Sequence, residues 1–327
     1  MLSVICPIYN EEKYIGQCVE SILAQDYPKD DLEILFVDGM STDDTRCIVV
    51  NYSNEYPFIK LFDNPKRIVP CAMNIGIKAS KGDIIIRLDA HASYPTNYFS
   101  ALIGRIVELD ADNVGVVCKT DVLNKTPKTL AIREVLSNKF GVGNSVFRTG
   151  VDKVMKVDTV PFGCYRRDTF ERFGMYDERL IRNQDFELNY RIRKGSGRIF
   201  IVPDSNCTYY ARESFKKLWI QNYKNGLWGI RTVLFTGNSN SLALRHYIPM
   251  IFVLSLIVPL FASLLWGPFM GIGGLSLLAY LLMIGGVSFC IAIRKHLNIL
   301  YLLLGFATCI YRMAVECLFL YLLLSRM

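Results

Sequence analysis

Asp89 and His91 close the run Ile84-Ile85-Ile86-Arg87-Leu88-Asp89-Ala90-His91. A carboxylate and an imidazole at i and i+2 of an extended segment point to the same side. Together they offer an oxygen and a nitrogen to a divalent cation, and a cation so held can grip a diphosphate. Taken singly, Asp-x-His also suits a turn cap beside a surface histidine. Two further carboxylates bear on the choice. Asp38 ends the apolar run Leu32 to Val37 and is followed by Gly39-Met40-Ser41-Thr42-Asp43-Asp44-Thr45. Asp185 opens a helical stretch, Gln184-Asp185-Phe186-Glu187-Leu188-Asn189, with Asn183 at its expected cap. An acidic residue in a first helical turn is favoured by the helix dipole alone, and it is also a candidate proton acceptor.

The elements that must position these groups alternate. Leu2 to Ile8, Leu32 to Val37, Phe58 to Phe62 and the Ile84 run read as buried strands, since each is short, apolar and rich in β-branched residues. Between them lie helical patterns: Tyr14 to Leu23 behind an Asn10 cap, a stretch capped by Ser41 to Thr45, and Arg67 to Ala79. Short connections between alternating strands and helices predict an α/β fold with a mostly parallel sheet and right-handed crossovers. Asp38 and Asp89 then face one crevice at the C-terminal ends of their strands, where such sheets take ligands. Tyr94 to Leu109 reads as a further helix, and Val114 to Cys118 and Arg198 to Pro203 as further strands. Lys119 to Asp158 is polar and weakly periodic, and is expected to be an irregular region able to close over a substrate.

Composition separates this part from the rest. The chain has 327 residues, 51% of them apolar, and a formal net charge of +7, which suits an anionic ligand or lipid headgroups. Ten cysteines show no Cys-x-x-Cys pair and no zinc spacing, and several that lie within apolar runs (Cys6, Cys118, Cys290, Cys309) read as small buried hydrophobes in a reducing compartment. Met1 to Cys6 has no basic leader pattern and reads as a strand. Ser214 to Tyr223 is basic, aromatic and amphipathic, the pattern of a helix at a membrane interface. Beyond it the chain is hydrophobic. Ile248 to Gly267, Met270 to Ile293 and Leu297 to Leu324 each approach the length of one bilayer crossing. The expected organisation is a globular domain over 1–230, an interfacial linker over 231–247, and about three transmembrane helices over 248–327. Arg245 and Arg294-Lys295 flank these segments, so the positive-inside rule places the globular domain in the cytoplasm of a multi-pass plasma-membrane protein. Arg312 and Glu316 stand at i, i+4 inside the third segment and can pair there.

In their order, these motifs resemble the inverting family-2 glycosyltransferases of GT-A fold. Pro7-Ile8-Tyr9-Asn10-Glu11 is similar to that family's opening strand–loop motif, and Val37-Asp38-Gly39-Met40-Ser41-Thr42-Asp43 to its second acidic turn. Asn74-Ile75-Gly76 fits its Asn-x-Gly helix. Asp89-Ala90-His91 falls where the family carries Asp-x-Asp, and Asn183-Gln184-Asp185, with Arg191 after it, where it carries its catalytic Glu-Asp. The resemblance covers about residues 1 to 230, and the apolar tail resembles membrane-bound members that build bacterial surface polysaccharides. The sequence departs from the pattern at His91, Gly39 and Gln184. It also lacks the Gln-x-x-Arg-Trp of processive synthases, which favours single additions.

The resemblance implies a nucleoside-diphosphate sugar donor, UDP-linked by preference, and no nucleic acid partner. Pro7, Tyr9, Glu11, Asp38, Asn74 and Asp89 would bind the donor. Asp89 and His91 would hold Mg²⁺ or Mn²⁺, and Asp185 would be the catalytic base. With the tail, it implies a polyprenyl-linked acceptor at the membrane lipid and a role in surface polysaccharide assembly. Two neighbouring expectations are a polyprenyl-phosphate sugar synthase, which differs in taking a bare lipid phosphate, and a membrane scaffold that binds a nucleotide sugar without turnover.

Overall fold

The computed structural model describes residues 1–143, 145–237 and 248–308. These form two compact units: Met1–Lys119 with Val146–Tyr210, and Thr120–Ser145 with the chain from Ala211 onward.

The first unit is built on one sheet. Its parallel part takes β1 (Leu2–Ile8), β2 (Leu32–Asp38), β3 (Ile59–Asp63) and β4 (Ile84–Arg87) in the order β3-β2-β1-β4. Helices α1 (Ile15–Leu23), α2 (Thr45–Glu55) and α3 (Val69–Ala79) make the crossovers. Every residue of β2 is buried, as expected of a strand covered on both faces. Glu33 is tolerated there because Ser3 Oγ lies 2.7 Å and Lys60 Nζ 3.0 Å from its carboxylate. Helix α3 approaches the sheet closely: a Cβ at Gly76 would stand 2.5 Å from Ile5 Cγ2.

The sheet is mixed, which corrects the mostly parallel expectation. It continues from β4 through β8 (Cys164–Arg166), β6 (Asn113–Asp121), β9 (Ile199–Tyr210) and β5 (Ala92–Ser93), with β7 (Met155–Lys156) paired to β9. β4 pairs with β8 antiparallel, Ile86 opposite Cys164, and β8 pairs with β6 antiparallel. Nothing local in the sequence announces this, because β8 is three residues long and its partners lie far along the chain. Helices α4 (Tyr98–Glu108), α8 (Arg167–Phe173) and α9 (Gln184–Lys194) accompany these strands. Tyr98, Phe99 and Leu102 of α4 are wholly buried in the core shared with β1 and β2.

The stretch expected to be irregular carries order of its own. Helix α5 (Pro127–Ser137) starts at a capping box in which the Thr126 side chain accepts from Thr129 N–H and the Thr129 side chain accepts from Thr126 N–H. Two single turns follow, α6 (Lys139–Val142) and α7 (Val146–Thr149). The cap expected at Asn10 is also corrected. Helix α1 begins at Ile15, and Asn10 takes a left-handed conformation, φ 54°, inside the preceding loop.

In the second unit, α10 (Phe215–Thr236) is capped by Ser214, whose side chain accepts from Lys217 N–H, and it runs past the expected end at Tyr223. Helix α11 (Ile248–Ala262) and helix α12 (Phe269–Lys295) form a hairpin, with the Phe252 and Tyr280 rings 4.7 Å apart. Ala131 and Val135 of α5 share a core with Ile284 of α12 and with Leu302 and Phe306 of α13 (Ile299–Thr308). Lys295 Nζ lies 2.5 Å from Glu134. Asn222 of α10 donates to the Thr308 carbonyl at 3.1 Å. Among the described residues one helix, α12 at 27 residues, is long and apolar enough to cross a membrane. Helix α11, 15 residues with Pro259 inside, spans only about 22 Å at the α-helical rise. The expected third span is described to Thr308; Arg312 and Glu316 lie outside the described residues, as does most of the expected linker.

Candidate active site

Parallel pairing of β1 with both β2 and β4 brings their C-terminal ends to one edge. Ile8 stands opposite Asp38, and Ile5 opposite Arg87. The loops that leave β1 and β2 are laced together. Asn10 N–H donates to Ser41 Oγ at 3.0 Å, Thr42 N–H to Asn10 Oδ1 at 2.9 Å, and Glu11 N–H to Thr45 Oγ1 at 2.7 Å. Two non-glycine residues in left-handed backbone, Asn10 and Met40 (φ 61°), make these turns possible. Tyr9 is 44% exposed and covers Gly39, where a Cβ would stand 3.2 Å from its ring. Pro7 is half-buried on β1.

Asp38 is fully buried. Ser41 Oγ donates to it at 2.6 Å, and Arg46 Nη1 lies 3.1 Å from Oδ2 while also pairing with Asp63 at 2.6 Å. Asn74 is likewise engaged. Its Nδ2 donates to the Tyr176 carbonyl at 2.9 Å and to Glu178 at 3.1 Å, while its Oδ1 accepts from Tyr176 N–H at 3.0 Å. The side chain thus ties α3 to the loop that leads toward α9.

Asp89 and His91 come together, though through a turn at Ala90-His91 and not along the extended strand that their spacing suggested, since β4 stops at Arg87. His91 Nδ1 lies 2.6 Å from Asp89 Oδ1 and 3.3 Å from Glu11 Oε1. Burial works against charge on His91, but the Asp89 carboxylate outweighs it and raises the imidazole well above its usual pKa. Burial likewise opposes the Asp89 carboxylate, and His91 and Arg87 overcome it, so its pKa is lowered. Tyr94 fixes the backbone here: Asp89 N–H donates to its hydroxyl at 2.8 Å, and the hydroxyl donates to the Asp89 carbonyl at 3.1 Å. The His91 ring meets Tyr209 edge-on at 4.9 Å and Tyr14 at 6.2 Å. Among the described residues, no cluster of three or more His, Cys, Asp or Glu side chains forms a ready-made metal cage.

Asp185 sits in the first turn of α9, after Asn183 in left-handed backbone, φ 62°, with no side-chain cap. Its Oδ1 is paired with Arg87 Nη1, at the end of β4 and two positions before Asp89. Burial raises the Asp185 pKa, Arg87 offsets part of the rise, and the net shift is upward. Asn189 anchors α9 from below. Its Oδ1 accepts from Asn113 Nδ2 and its Nδ2 donates to Thr159 Oγ1, each at 2.8 Å and wholly inside the protein. Arg191 braces the same helix through Glu187 at 2.6 Å and the Met175 carbonyl at 2.7 Å.

One edge therefore gathers Tyr9, Glu11, Asp38, Asp89, His91 and, through Arg87, Asp185. Reading motifs singled out neither Arg87 nor the tyrosines around His91. The alternation Arg87, Asp89, His91 could have flagged the arginine, whereas Tyr209 comes from a strand pairing with no local signal.

Comparison with known proteins agrees with this architecture. The family described as Glycosyl transferase family 2 matches residues 3–174. The dolichyl N-acetyl-α-D-glucosaminyl phosphate 3-β-D-2,3-diacetamido-2,3-dideoxy-β-D-glucuronosyltransferase of Methanococcus voltae is 31% identical over 230 residues, 69% of this chain and 71% of that protein. The succinoglycan biosynthesis protein ExoA of Rhizobium meliloti is 31% identical over 225 residues, 68% of this chain and 67% of that one. In fold, the mannosyltransferase PcManGT from Pyrobaculum calidifontis, solved in complex with GDP-Man and Mn²⁺, superposes with a TM-score of 0.59 at 18% identity, covering 97% of this chain and 86% of that chain. TarS 1–349 of S. aureus gives 0.54 at 18% identity, covering 96% and 90%.

Proposed function

This chain belongs to glycosyl transferase family 2, and we propose that it moves a sugar, with inversion, from a nucleoside-diphosphate donor to a lipid-linked acceptor at the cytoplasmic face of a membrane. The observation that carries the reading is the joining of Asp185, through Arg87 at the end of β4, to the segment just beyond it that holds Asp89 and His91. A base and a diphosphate site then border one crevice.

In this reading Tyr9, Glu11 and Asp38 border the nucleoside end, with Pro7 setting the course of the loop. The closed pairs around Asp38 make it a brace for that loop as well as a wall. Asn74 serves the donor side indirectly, by fixing the Tyr176–Glu178 loop. Asp89 and His91 offer an oxygen and a nitrogen that suit Mg²⁺ or Mn²⁺. As they stand, however, they are paired with each other at 2.6 Å with the ring favoured in its charged form, so the imidazole would have to give up its proton and that pairing on taking the ion. Asp89 and His91 would hold the ion, which neutralises charge on the departing diphosphate. Asp185 accepts the proton of the acceptor hydroxyl as that oxygen attacks the anomeric carbon from the face opposite the diphosphate. The bond to the diphosphate breaks in the same displacement, and the anomeric configuration inverts. The upward shift of Asp185 suits a proton acceptor, because a more basic carboxylate takes the proton more readily.

A membrane-linked acceptor is supported by α12, which spans about 40 Å at the α-helical rise, and by the dolichyl-phosphate sugar in the name of the Methanococcus voltae relative. Helix α12 exposes Leu275, Leu282 and Phe289 along its length. Its basic end, Arg294-Lys295, fits the cytoplasmic side. We extend the same reading to a multi-pass anchor, with α11 and the segment beyond Leu297 as its other members.

The test is sugar transfer in membranes with a panel of UDP-, GDP- and dTDP-sugars, Mn²⁺ or Mg²⁺, and a lipid extract. Asp185→Asn is expected to cut incorporation into lipid about 1,000-fold, to a measurable residual rate, and to leave donor binding intact. Donor binding without turnover by the wild type, across the panel, overturns the enzyme reading in favour of a scaffold. Incorporation onto added bare polyprenyl phosphate moves the acceptor to that of a lipid-phosphate sugar synthase.

A further inference from the structure

Strand β4 ends in a polar group of its own, Arg87, two residues before Asp89. Leu88 and Ala90, which separate Arg87, Asp89 and His91, are both buried in the core. Arg87 itself is 6% exposed, a depth at which a cation persists only when paired. Its pair is Asp185 Oδ1. Its Nε is buried without a hydrogen-bond partner among the described residues, and its guanidinium carbon lies 6.0 Å from the centre of the Phe162 ring. The backbone that carries it is held on both sides. Arg87 stands opposite Ile5 in the parallel ladder, and its N–H donates to the Gly163 carbonyl at 3.0 Å.

Among the described residues, no bond from its own helix fixes the Asp185 carboxylate. Asn183 enters α9 in left-handed backbone and makes no side-chain cap. The buried bonds of Asn189 fix the helix one turn further on. The one described contact that fixes the Asp185 carboxylate is the guanidinium reaching over from β4, and it engages Oδ1.

We propose that Arg87 is the positioning residue for Asp185: it holds Oδ1 and so presents Oδ2 to the acceptor hydroxyl. The inference rests on the reading of Asp185 as the base. Its consequence is that one strand end serves both halves of the reaction. Position 87 sets the base, and positions 89 and 91 set the diphosphate, so neither can shift without the other. An arginine fits this task better than a lysine, since its planar fork fixes the direction of the carboxylate as well as its distance.

The test uses the full chain in membranes, with the donor that supports transfer in the panel above. Arg87→Met is expected to lower kcat about 100-fold, the cost of misplacing a catalytic group by about an ångström, with donor KM unchanged. Arg87→Lys is expected to restore part of that loss, and Arg87→Met is expected to cost nothing further once Asp185→Asn is present. A rise in donor KM with kcat intact overturns the proposal and assigns Arg87 to the donor site. So does an equal further loss in the Asp185→Asn background, or a lysine variant no better than the methionine one. If Arg87→Met does not fold, Arg87→Lys with and without Asp185→Asn decides by the same non-additivity. An active wild type with an equally active Arg87→Met removes this inference alone. A wild type inactive with every donor removes the base reading, and this inference with it.

Discussion

The parallel part of the sheet, β3-β2-β1-β4, and the antiparallel part that begins at β8 place their polar groups in opposite ways. On the parallel side, around the buried Asp38, many of the hydrogen bonds that shape the site join exposed loops: Asn10 to Ser41 and Thr42, and Glu12 N–H to Asp43 at 3.2 Å. On the antiparallel side those that hold α9 are sunk in the core, and others, such as those of Asp112, are partly buried. Asn189 joins Asn113 and Thr159 out of contact with solvent. Asp112 accepts from Arg172 at 2.8 Å and from Arg198 N–H at 2.7 Å. Solvated bonds exchange cheaply with water or a ligand, whereas buried ones cost their full desolvation when broken. The donor side is therefore built to adjust to what it binds, and the base side to hold Asp185 in one place.

The largest expected effect separates the two sides by what they bind. Asp89→Ala should weaken metal-dependent donor binding by about 100-fold, some 2.7 kcal/mol. Titration of Mn²⁺ against a bound nucleotide sugar measures it; an unaltered metal dependence would detach Asp89 from the diphosphate. On the base side the expected order reverses. Asn189→Ala strands the Asn113 amide and the Thr159 hydroxyl in the core, at a cost of about 2–3 kcal/mol of stability. Thermal unfolding measures this, and donor affinity should stay at its wild-type value. A loss of donor affinity as large as the loss of stability would erase the distinction between the sides.

This division also explains what could be read in advance. The parallel half was legible because each of its strands is mostly apolar and runs into a polar loop, even where Ser3, Glu33 and Lys60 interrupt. Asp89 and His91 meet two residues apart, but by a local turn in which His91 N–H donates to Asp89 Oδ1 at 3.3 Å, not by the alternation of an extended strand. The antiparallel half was not legible. β8 offers only Cys164-Tyr165-Arg166, and its place between β4 and β6 is set by pairings across dozens of residues. Helix α5 hid behind polar composition, although Thr126-Pro127 and Thr129 form a recognisable start. Of the apolar tail, the run that became α12 was plain. The first segment is shorter than its composition suggested, because α11 ends at Ala262 and the chain turns through Leu264 to Pro268 before the next helix. As for the candidate site, residue types were readable and partnerships were not. Nothing in the sequence says that Asp38 is held by Arg46, or that Asn74 is spent on the Tyr176 backbone.

The smallest expected effect lies at the seam between the halves, where Asn74 and Lys66 both reach Glu178. Lys66 Nζ lies 2.7 Å and Asn74 Nδ2 3.1 Å from its carboxylate. Lys66 first, then Asn74, lowers the Glu178 pKa to about 2. The folded value is thus below the unfolded one, about 4.3 for a free glutamate. Unfolding takes up a proton between these two values, so the stabilisation is complete above the upper one and is lost as pH falls toward the lower. Because Glu178 is 37% exposed, solvent screens the pair, and its worth is under about 1 kcal/mol. Melting curves of the wild type and Glu178→Gln should therefore differ slightly at pH 7 and converge as the pH approaches 2. Curves that stay apart at low pH would mean that the Asn74 amide bond, and not the carboxylate charge, secures the loop. In that case the seam would resemble the buried side of the molecule more than the solvated one.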